Sequence, residues 1–452
     1  MRAPLFAAAL LAAGGCAHLD PHNLIGRQLG SFPPAADDFT PRMRLPLTAA
    51  QREESFDFVW NTIDQRYHDP ALNGADWPAA ARRYRPLALA ANDDEAFWDV
   101  LDRMTGELHD AHTRVESPAR VELRRHDESI TLGFSFARVQ GRLAVTGVHP
   151  DSDAWWSGVR PGMLLVSIGG ERAADAYARL EAETRHDSTE RSRHMRVVRR
   201  LMAGELGSTL DFTFERADAT RFDAKLARRK VTTRSLESHR VLPSGFGYVR
   251  FSQWSIGLTS RVVEAVDELK ATPGLVIDLR SNPGGAVAAV NRLLDRFFAQ
   301  RTELGRATTR TGKPVSLFFD TLEIIKLDTV VEGRADAYQG PVVILVNTGS
   351  ASGSELFSGT MQAAGRAKVV GEASCGCLLG FLGYAHVPGG GELAYSEVGF
   401  VMTNGKRIEG EGVIPDHFVA PTLADLRQNR DRVLEESQEV LRTLAAAPKR
   451  AP

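Results

Sequence analysis

The sequence predicts an α/β protein in which a largely parallel sheet carries packed helices, with a small helical domain and a β-rich domain ahead of it. Three observations predict this. Pro341-Val-Val-Ile-Leu-Val346 and Gly274-Leu-Val-Ile-Asp-Leu-Arg280 are short apolar runs bounded by turn residues, the pattern of strands buried on both faces. Each passes through a serine- or glycine-rich turn into a helical stretch, and that alternation builds parallel sheets. Around 130–170 the texture differs, with alternating apolar residues and glycine-rich turns that give short strands.

At 452 residues the chain has room for two or three domains, and 43% hydrophobic with 25% charged residues is the composition of an ordinary globular protein. The 55 basic and 57 acidic residues leave a net charge of −2, which excludes a polyanion footprint; no nucleic-acid partner is expected. Arg2 precedes an apolar run over 5–13, too short to span a bilayer, which ends in Ala-Ala-Gly-Gly-Cys16. This resembles a bacterial lipoprotein signal over 1–16, with the Cys16 thiol lipidated after cleavage. A plain secretory signal with an incidental cysteine is the alternative, and either one exports the protein. The lipid would hold it on a membrane surface in the cell envelope, facing the periplasm or exterior. Residues 17–45, rich in Pro, Ala and Asp, read as a tether.

Residues 46–120 are expected to form the helical domain. Phe56, Val59, Trp60, Ile63 and Tyr67 fall at helical spacing, as do Phe97, Val100, Leu101, Met104 and Leu108. The second stripe stops at His109-Asp-Ala-His112-Thr113, which puts His112 at an element end, as a cap or as a base. Residues 121–232 carry the short strands, at 130–136, 143–148 and 163–168. They resemble a PDZ domain of the bacterial type, in which Leu132-Gly133-Phe134 corresponds to the loop that holds a peptide's terminal carboxylate. A charged helical stretch between Ala174 and Leu206 exceeds what such a domain needs.

Residues 233–422 hold the α/β core. A strand at 245–251 and an amphipathic helix through Val262, Val263, Val266 and Leu269 lead to the strand at 274–280. Ser281-Asn-Pro-Gly-Gly285 then turns into a helix over 287–298. Gly284 and Gly285 can aim a backbone amide at a ligand without steric cost. The strand at 341–346 runs into Asn347-Thr-Gly-Ser-Ala-Ser-Gly-Ser-Glu355 and a helix capped by Ser352 or Ser354, with Glu355 in its first turn. Such a sharp turn exposes a hydroxyl and directs helix N-terminal amides at the same point. Cys375 and Cys377 read as structural. A disulfide, metal binding with outside ligands and free thiols are all compatible with their spacing. No third ligand stands near them, so no zinc site is expected and no cofactor is implied. Residues 423–452 read as a solvent-facing helix and tail.

Four motifs in order, Asp278-Leu-Arg-Ser-Asn-Pro-Gly-Gly285, Gly349-Ser-Ala-Ser-Gly-Ser-Glu355, Gly371-Glu372 and Gly410-Glu-Gly-Val-Ile-Pro-Asp416, resemble the C-terminal processing (tail-specific) serine peptidases. The resemblance implies a crotonase-like core and a serine endopeptidase acting on polypeptide substrates through an acyl-enzyme. It makes Ser352 the nucleophile and the amides of Gly353 and of Gly284 or Gly285 the oxyanion donors. Where that family has a lysine base, this chain has Ser374-Cys-Gly-Cys377. A second branch, similar to the tricorn core protease, uses histidine and glutamate. By that likeness His112 is the base and Glu409 its carboxylate, with Glu411 less well aligned, and Ala111 and Thr113 stand beside the histidine. A rival reading is a non-catalytic ligand- or peptide-binding protein on the same fold. A third makes Cys375 or Cys377 a nucleophile with His386.

Overall fold

The computed structural model describes residues 46–126, 128–184, 187–232 and 237–446, with 19, 20, 22–25 and 27 ahead of them. Cys16 and most of the expected tether lie outside the described residues. Two compact units divide the chain. One comprises 1–126, 305–329 and 379–406, the other 127–304, 330–378 and 407–452.

In the second unit a six-stranded sheet runs in the order Glu237–Val241, Gly247–Phe251, Leu275–Asp278, Val342–Val346, Lys368–Gly371, His417–Phe418. The first pair is antiparallel and the rest are parallel. Parallel neighbours need crossovers, and the helices Ile256–Glu268, Val287–Leu294 and Gly353–Ala363 supply three of the four. Asp278 pairs with Leu345, so the turns that leave these two strands emerge side by side at the carboxyl edge of the sheet. The C-terminal stretch differs from expectation. Its longer helix, Arg432–Ala446, is not solvent-facing all round: Val433, Val440 and Leu441 are buried against Val276, Val343, Leu345 and Val370 of the sheet. The helix is the cover that a parallel sheet requires, and its many charges occupy only the outer face.

The same unit holds an antiparallel sheet ordered Phe134–Val139, Arg142–Val148, Leu164–Ile168, Thr209–Glu215, Arg221–Ala227. Phe134 stands edge-on to Phe212 and Phe214 in its core, and Val197 and Leu201 close that core from the helix Glu190–Met202. The charged stretch is thus two helices, Ala173–Glu183 and Glu190–Met202.

The first unit is built on Ala49–Arg66, Trp77–Leu89 and Asp94–Gly106. Their apolar stripes meet around Phe56, Ile63, Tyr67, Trp77, Phe97 and Leu101. Pro78 at the start of Trp77–Leu89 and the Asp76 cap, which accepts the Ala79 amide at 2.9 Å, set the middle helix. A three-stranded sheet joins Arg114–Glu116 to Glu392–Ala394 and Ala385–His386. Among the described residues no helix is long and apolar enough to cross a membrane.

Candidate active site

All five residues of Val342–Val346 are buried, and the turn after it is held from inside. The Asn347 amide donates to Ser350 Oγ at 3.0 Å, while Asn347 Oδ1 accepts the amides of Ser281 at 2.8 Å and Gly349 at 3.1 Å. Ser350 Oγ reaches across to the Leu279 carbonyl at 2.8 Å, tying the two carboxyl-edge turns together. The turn delivers Ser352 at φ 52° and ψ −114°, as N-cap of Gly353–Ala363. A left-handed φ costs a residue with a β-carbon about 1–3 kcal/mol, so the surroundings must impose it. Ser352 itself is half-buried among buried neighbours.

Glu355 does much of the imposing. It is buried, and it accepts the Ser352 amide at 3.0 Å, the Cys377 amide at 2.9 Å, the Gly376 amide at 2.7 Å and Ser374 Oγ at 2.5 Å. Burial pushes its carboxyl above the ordinary range, and these donors pull the other way. The Ser352 amide is shared with the Cys377 carbonyl at 3.0 Å. The loop 374–377 is held in turn by the helix Glu190–Met202. Thr189 Oγ1 donates to the Cys375 carbonyl at 2.6 Å, and the Arg191 guanidinium donates to the carbonyls of Ser374 and Glu411.

Gly284 and Gly285 lie against this turn. A β-carbon on Gly284 would stand 2.7 Å from the Ala351 carbonyl oxygen, the Gly353 amide nitrogen and Ser352 Cβ, so only glycine fits. The Gly284 amide is spent on Asn282 Oδ1 at 3.0 Å. Among the described residues the amides of Gly285 and Gly353 have no acceptor, and the Gly285 nitrogen would be 3.3 Å from a β-carbon on Gly353. Trp254 ties the glycine turn to the serine helix: its amide donates to the Gly284 carbonyl at 2.9 Å and its indole N–H to Ser354 Oγ at 3.0 Å. Asp278, in the first motif, is structural, bound by Tyr248 at 2.7 Å and by Arg280.

Glu409 sits in the loop after the buried Ile408. The loop is pinned by the Gly410 amide, which donates to the Gly376 carbonyl at 3.0 Å, and by the Ser374 amide, which donates to the Val413 carbonyl at 3.2 Å. Glu411 is exposed, and its carbonyl is the one that Arg191 holds.

His112 belongs to the first unit. Asp110 shapes its turn by accepting the His112 amide at 2.7 Å, Thr113 Oγ1 at 2.5 Å and Ser396 Oγ at 2.6 Å. Thr113 Oγ1 also accepts the Ser396 amide at 3.1 Å, so this hydroxyl is engaged in the fold. The ring is 9% exposed, and its Nδ1 is buried without a hydrogen-bond partner among the described residues. Burial pushes its pKa down to about 4, Arg114 adds to that, and Asp110 opposes it.

Cys375 and Cys377 are disulfide-bonded, so neither is a thiolate nucleophile. His386, their supposed partner, is an exposed residue beside Glu392 in the first unit. Lys368 is paired with Asp416 at 2.9 Å and Lys406 is exposed. Leu132 and Phe134 point into the antiparallel-sheet core. Between them the Gly133 amide donates to Thr131 Oγ1 at 3.1 Å, and its carbonyl accepts the His149 amide at 2.8 Å. Glu355 and Arg191 were not foreseen in these roles. The three-residue spacing from Ser352 to Glu355 is a capping-box signal, whereas nothing near Arg191 in sequence announces its partners.

Residues 245–419 match the model of peptidase family S41, and 48–106 that of the tricorn protease C1 domain. The chain carries a peptidase family S41 domain over 245–419. Among relatives, tricorn protease homolog 2 of Streptomyces coelicolor is 24% identical over 86% of the chain and 32% of its own length. Carboxyl-terminal-processing peptidase 2 of Arabidopsis thaliana is 25% identical over 72% and 61%. The carboxyl-terminal-processing protease of Picosynechococcus sp. is 24% identical over 80% and 81%. The chain therefore spans less than two thirds of the first two. Two solved structures share its fold. The photosystem II D1 C-terminal processing protease has TM-score 0.54 at 23% identity, covering 88% of this chain and 98% of its own. Mature CPAF has TM-score 0.67 at 16% identity, covering 88% and 98%.

Proposed function

We propose that this S41 chain is an exported serine endopeptidase that cleaves polypeptides through an acyl-enzyme on Ser352, with His112 as general base and Glu409 as its orienting carboxylate. The observation that carries the reading is Ser352 itself: a serine at φ 52° on a strand-to-helix turn, with the unspent amides of Gly353 and Gly285 beside it. A serine hydroxyl is too weak an acid to attack alone. The imidazole takes its proton as the Oγ–carbonyl carbon bond forms, and the two amides stabilise the oxyanion. Collapse expels the amine, which recovers the proton from the imidazolium, and water repeats the sequence on the ester. A ring held near its neutral form by burial is ready to accept that proton at neutral pH. Gly285 rather than Gly284 is the second donor, because the Gly284 amide is already engaged.

The domain reading assigns 1–16 to the lipoprotein signal, 17–45 to the tether, 46–120 to the helical domain, 121–232 to a PDZ-like domain, 233–422 to a crotonase-like core and 423–452 to the closing helix and tail. The PDZ-like reading is supported by Phe134–Val139, an edge strand with one sheet neighbour that follows directly on Leu132-Gly133 and is open to strand addition by a polypeptide end. Relatives named carboxyl-terminal-processing proteases favour the same class of substrate. A lipid on Cys16 would keep the enzyme at a membrane surface of the cell envelope.

The test is labelling by a fluorophosphonate probe, with the modified residue identified by mass spectrometry. We expect adduct on Ser352 and none in Ser352→Ala. Absence of labelling in the unaltered protein, or equal labelling in the variant, sinks the reading in favour of ligand binding without catalysis.

A further inference from the structure

Arg114 opens the strand Arg114–Glu116 in the first unit, two residues after His112, and each nitrogen of its guanidinium is engaged within that unit. Nη1 donates to the His112 carbonyl at 3.2 Å, Nε to Glu116 Oε1 at 3.0 Å and Nη2 to the Tyr384 hydroxyl at 2.6 Å. The central carbon also stands 5.6 Å from the middle of the Phe381 ring and 5.5 Å from that of Tyr384. Phe381 is in turn an aromatic neighbour of the imidazole, with ring centres 6.5 Å apart. One rigid fork therefore touches both the backbone of His112 and the wall beside its ring.

The fork brings a charge as well as a grip. Glu116 does not cancel that charge alone, because Arg124 Nε donates to its second oxygen at 2.8 Å. On the imidazole itself burial acts first, Asp110 favours the charged ring and Arg114 disfavours it. Tyr384, Glu116 and Asp102 act on the guanidinium, and His109, on the same turn as His112, is exposed. A proton acceptor must be both uncharged and aimed, and the fork serves the two needs from one place.

We propose that Arg114 is a positioning residue for the His112 base: its guanidinium ties the His112 carbonyl to the wall of Phe381 and Tyr384 and stands as a fixed positive charge next to the ring. The inference rests on the role proposed above for His112. Geometry and charge come apart on substitution. Arg114→Lys keeps the charge and loses the fork, since an ammonium on a flexible stem does not hold three acceptors in one plane. Arg114→Gln loses the charge and keeps a planar amide. Tyr384→Phe frees one arm of the guanidinium and leaves its charge alone.

The test follows fluorophosphonate labelling of Ser352 against pH in the full chain, with the His112 ring titrated independently by NMR. In Arg114→Lys we expect a plateau rate roughly 10- to 100-fold lower, with the midpoint of the acid limb still near 4. Arg114→Gln should lower the plateau too and move the midpoint upward, toward 6.5, in the labelling rate and the NMR titration alike. Tyr384→Phe should lower the plateau alone. Plateau losses in both Arg114 variants with the midpoint unmoved in either overturn the proposal in favour of a structural arginine. Unchanged rates in all three variants also overturn it, and a slow His112→Ala then leaves the catalytic reading standing. Should the Arg114 variants fail to fold, an unchanged plateau in Tyr384→Phe overturns the proposal and a lowered one with an unmoved midpoint upholds the grip. No labelling of the unaltered protein sinks the catalytic reading itself, whatever the NMR titration shows.

Discussion

The Ser352 amide donates to Glu355 Oε2 at 3.0 Å, so the third residue of the helix clasps the backbone of the residue that opens it. The same carboxylate receives the amides of Gly376 and Cys377 and the Ser374 hydroxyl, which makes it the post on which the serine turn and the disulfide loop are both hung. Glu355→Ala leaves these buried donors without an acceptor, at a cost of about 2–5 kcal/mol in total. We expect a lower Tm by calorimetry together with slower fluorophosphonate labelling of Ser352. Glu355→Gln should fall between, because its amide nitrogen would face other donors. Unchanged Tm in both variants would show that the turn holds itself.

The His112 ring sets a pH prediction. Burial favours its neutral form and pushes the pKa from 6.5 to about 4, so the folded protein binds fewer protons than the unfolded chain between these values. Stability contributed by this ring is therefore complete above 6.5 and is lost as pH falls toward 4. Labelling of Ser352 should follow the neutral ring, holding its plateau through pH 6.5 and declining only on approach to 4. His112→Ala should slow labelling by roughly 10²-fold or more and remove that slope from the unfolding free energy. A rate that falls with a midpoint near 6.5 would mean the working base is a solvated histidine or that the ring is not buried in solution.

The scaffold of the site was legible in the sequence because its signals are local. Val342–Val346 reads as an unbroken apolar run, Ile256–Glu268 repeats its apolar residues at helical spacing, and the turns that follow Asp278 and Val346 are spelled in Gly, Ser and Asn. What the sequence hid depends on distant partners. Glu355 looks like an ordinary first-turn acid, favourable to the helix dipole, until the loop 374–377 folds over it. Arg114–Glu116 is too short to declare a strand, and its pairing with Glu392–Ala394 spans most of the chain. Val433, Val440 and Leu441 are diluted by charges, so only the sheet beneath them shows that they are core.

Arg191 illustrates the same limit and yields a further prediction. Its guanidinium joins the Ser374 carbonyl, in the loop behind Ser352, to the Glu411 carbonyl, in the loop that carries Glu409. Arg191→Ala should raise backbone hydrogen exchange in 374–377 and 408–413 together and slow Ser352 labelling about tenfold, roughly 1.4 kcal/mol of positioning. A planar fork serves two carbonyls at once and an ammonium does so poorly, so Arg191→Lys should restore the effect only in part. Faster exchange in one loop alone would show that the two are not coupled through this residue.

Gly284→Ala tests whether the glycine turn belongs to the reaction. The position has φ 100°, and the atoms that a β-carbon would meet at 2.7 Å are the backbone of Ala351 and Gly353 and the Cβ of Ser352 itself. None of these is the far end of a flexible side chain, so relief must come from moving the serine turn and the Gly285 amide apart. Losing one oxyanion donor costs on the order of 10²–10³ in rate. We expect a loss of that size in acylation by a chromogenic ester or peptide, with KM little altered and the unfolding transition still cooperative. The donors matter only as charge develops on the carbonyl oxygen, so ground-state binding should survive. A variant that loses binding and rate in equal measure would instead place Gly284 in the substrate groove, with the oxyanion held by other amides.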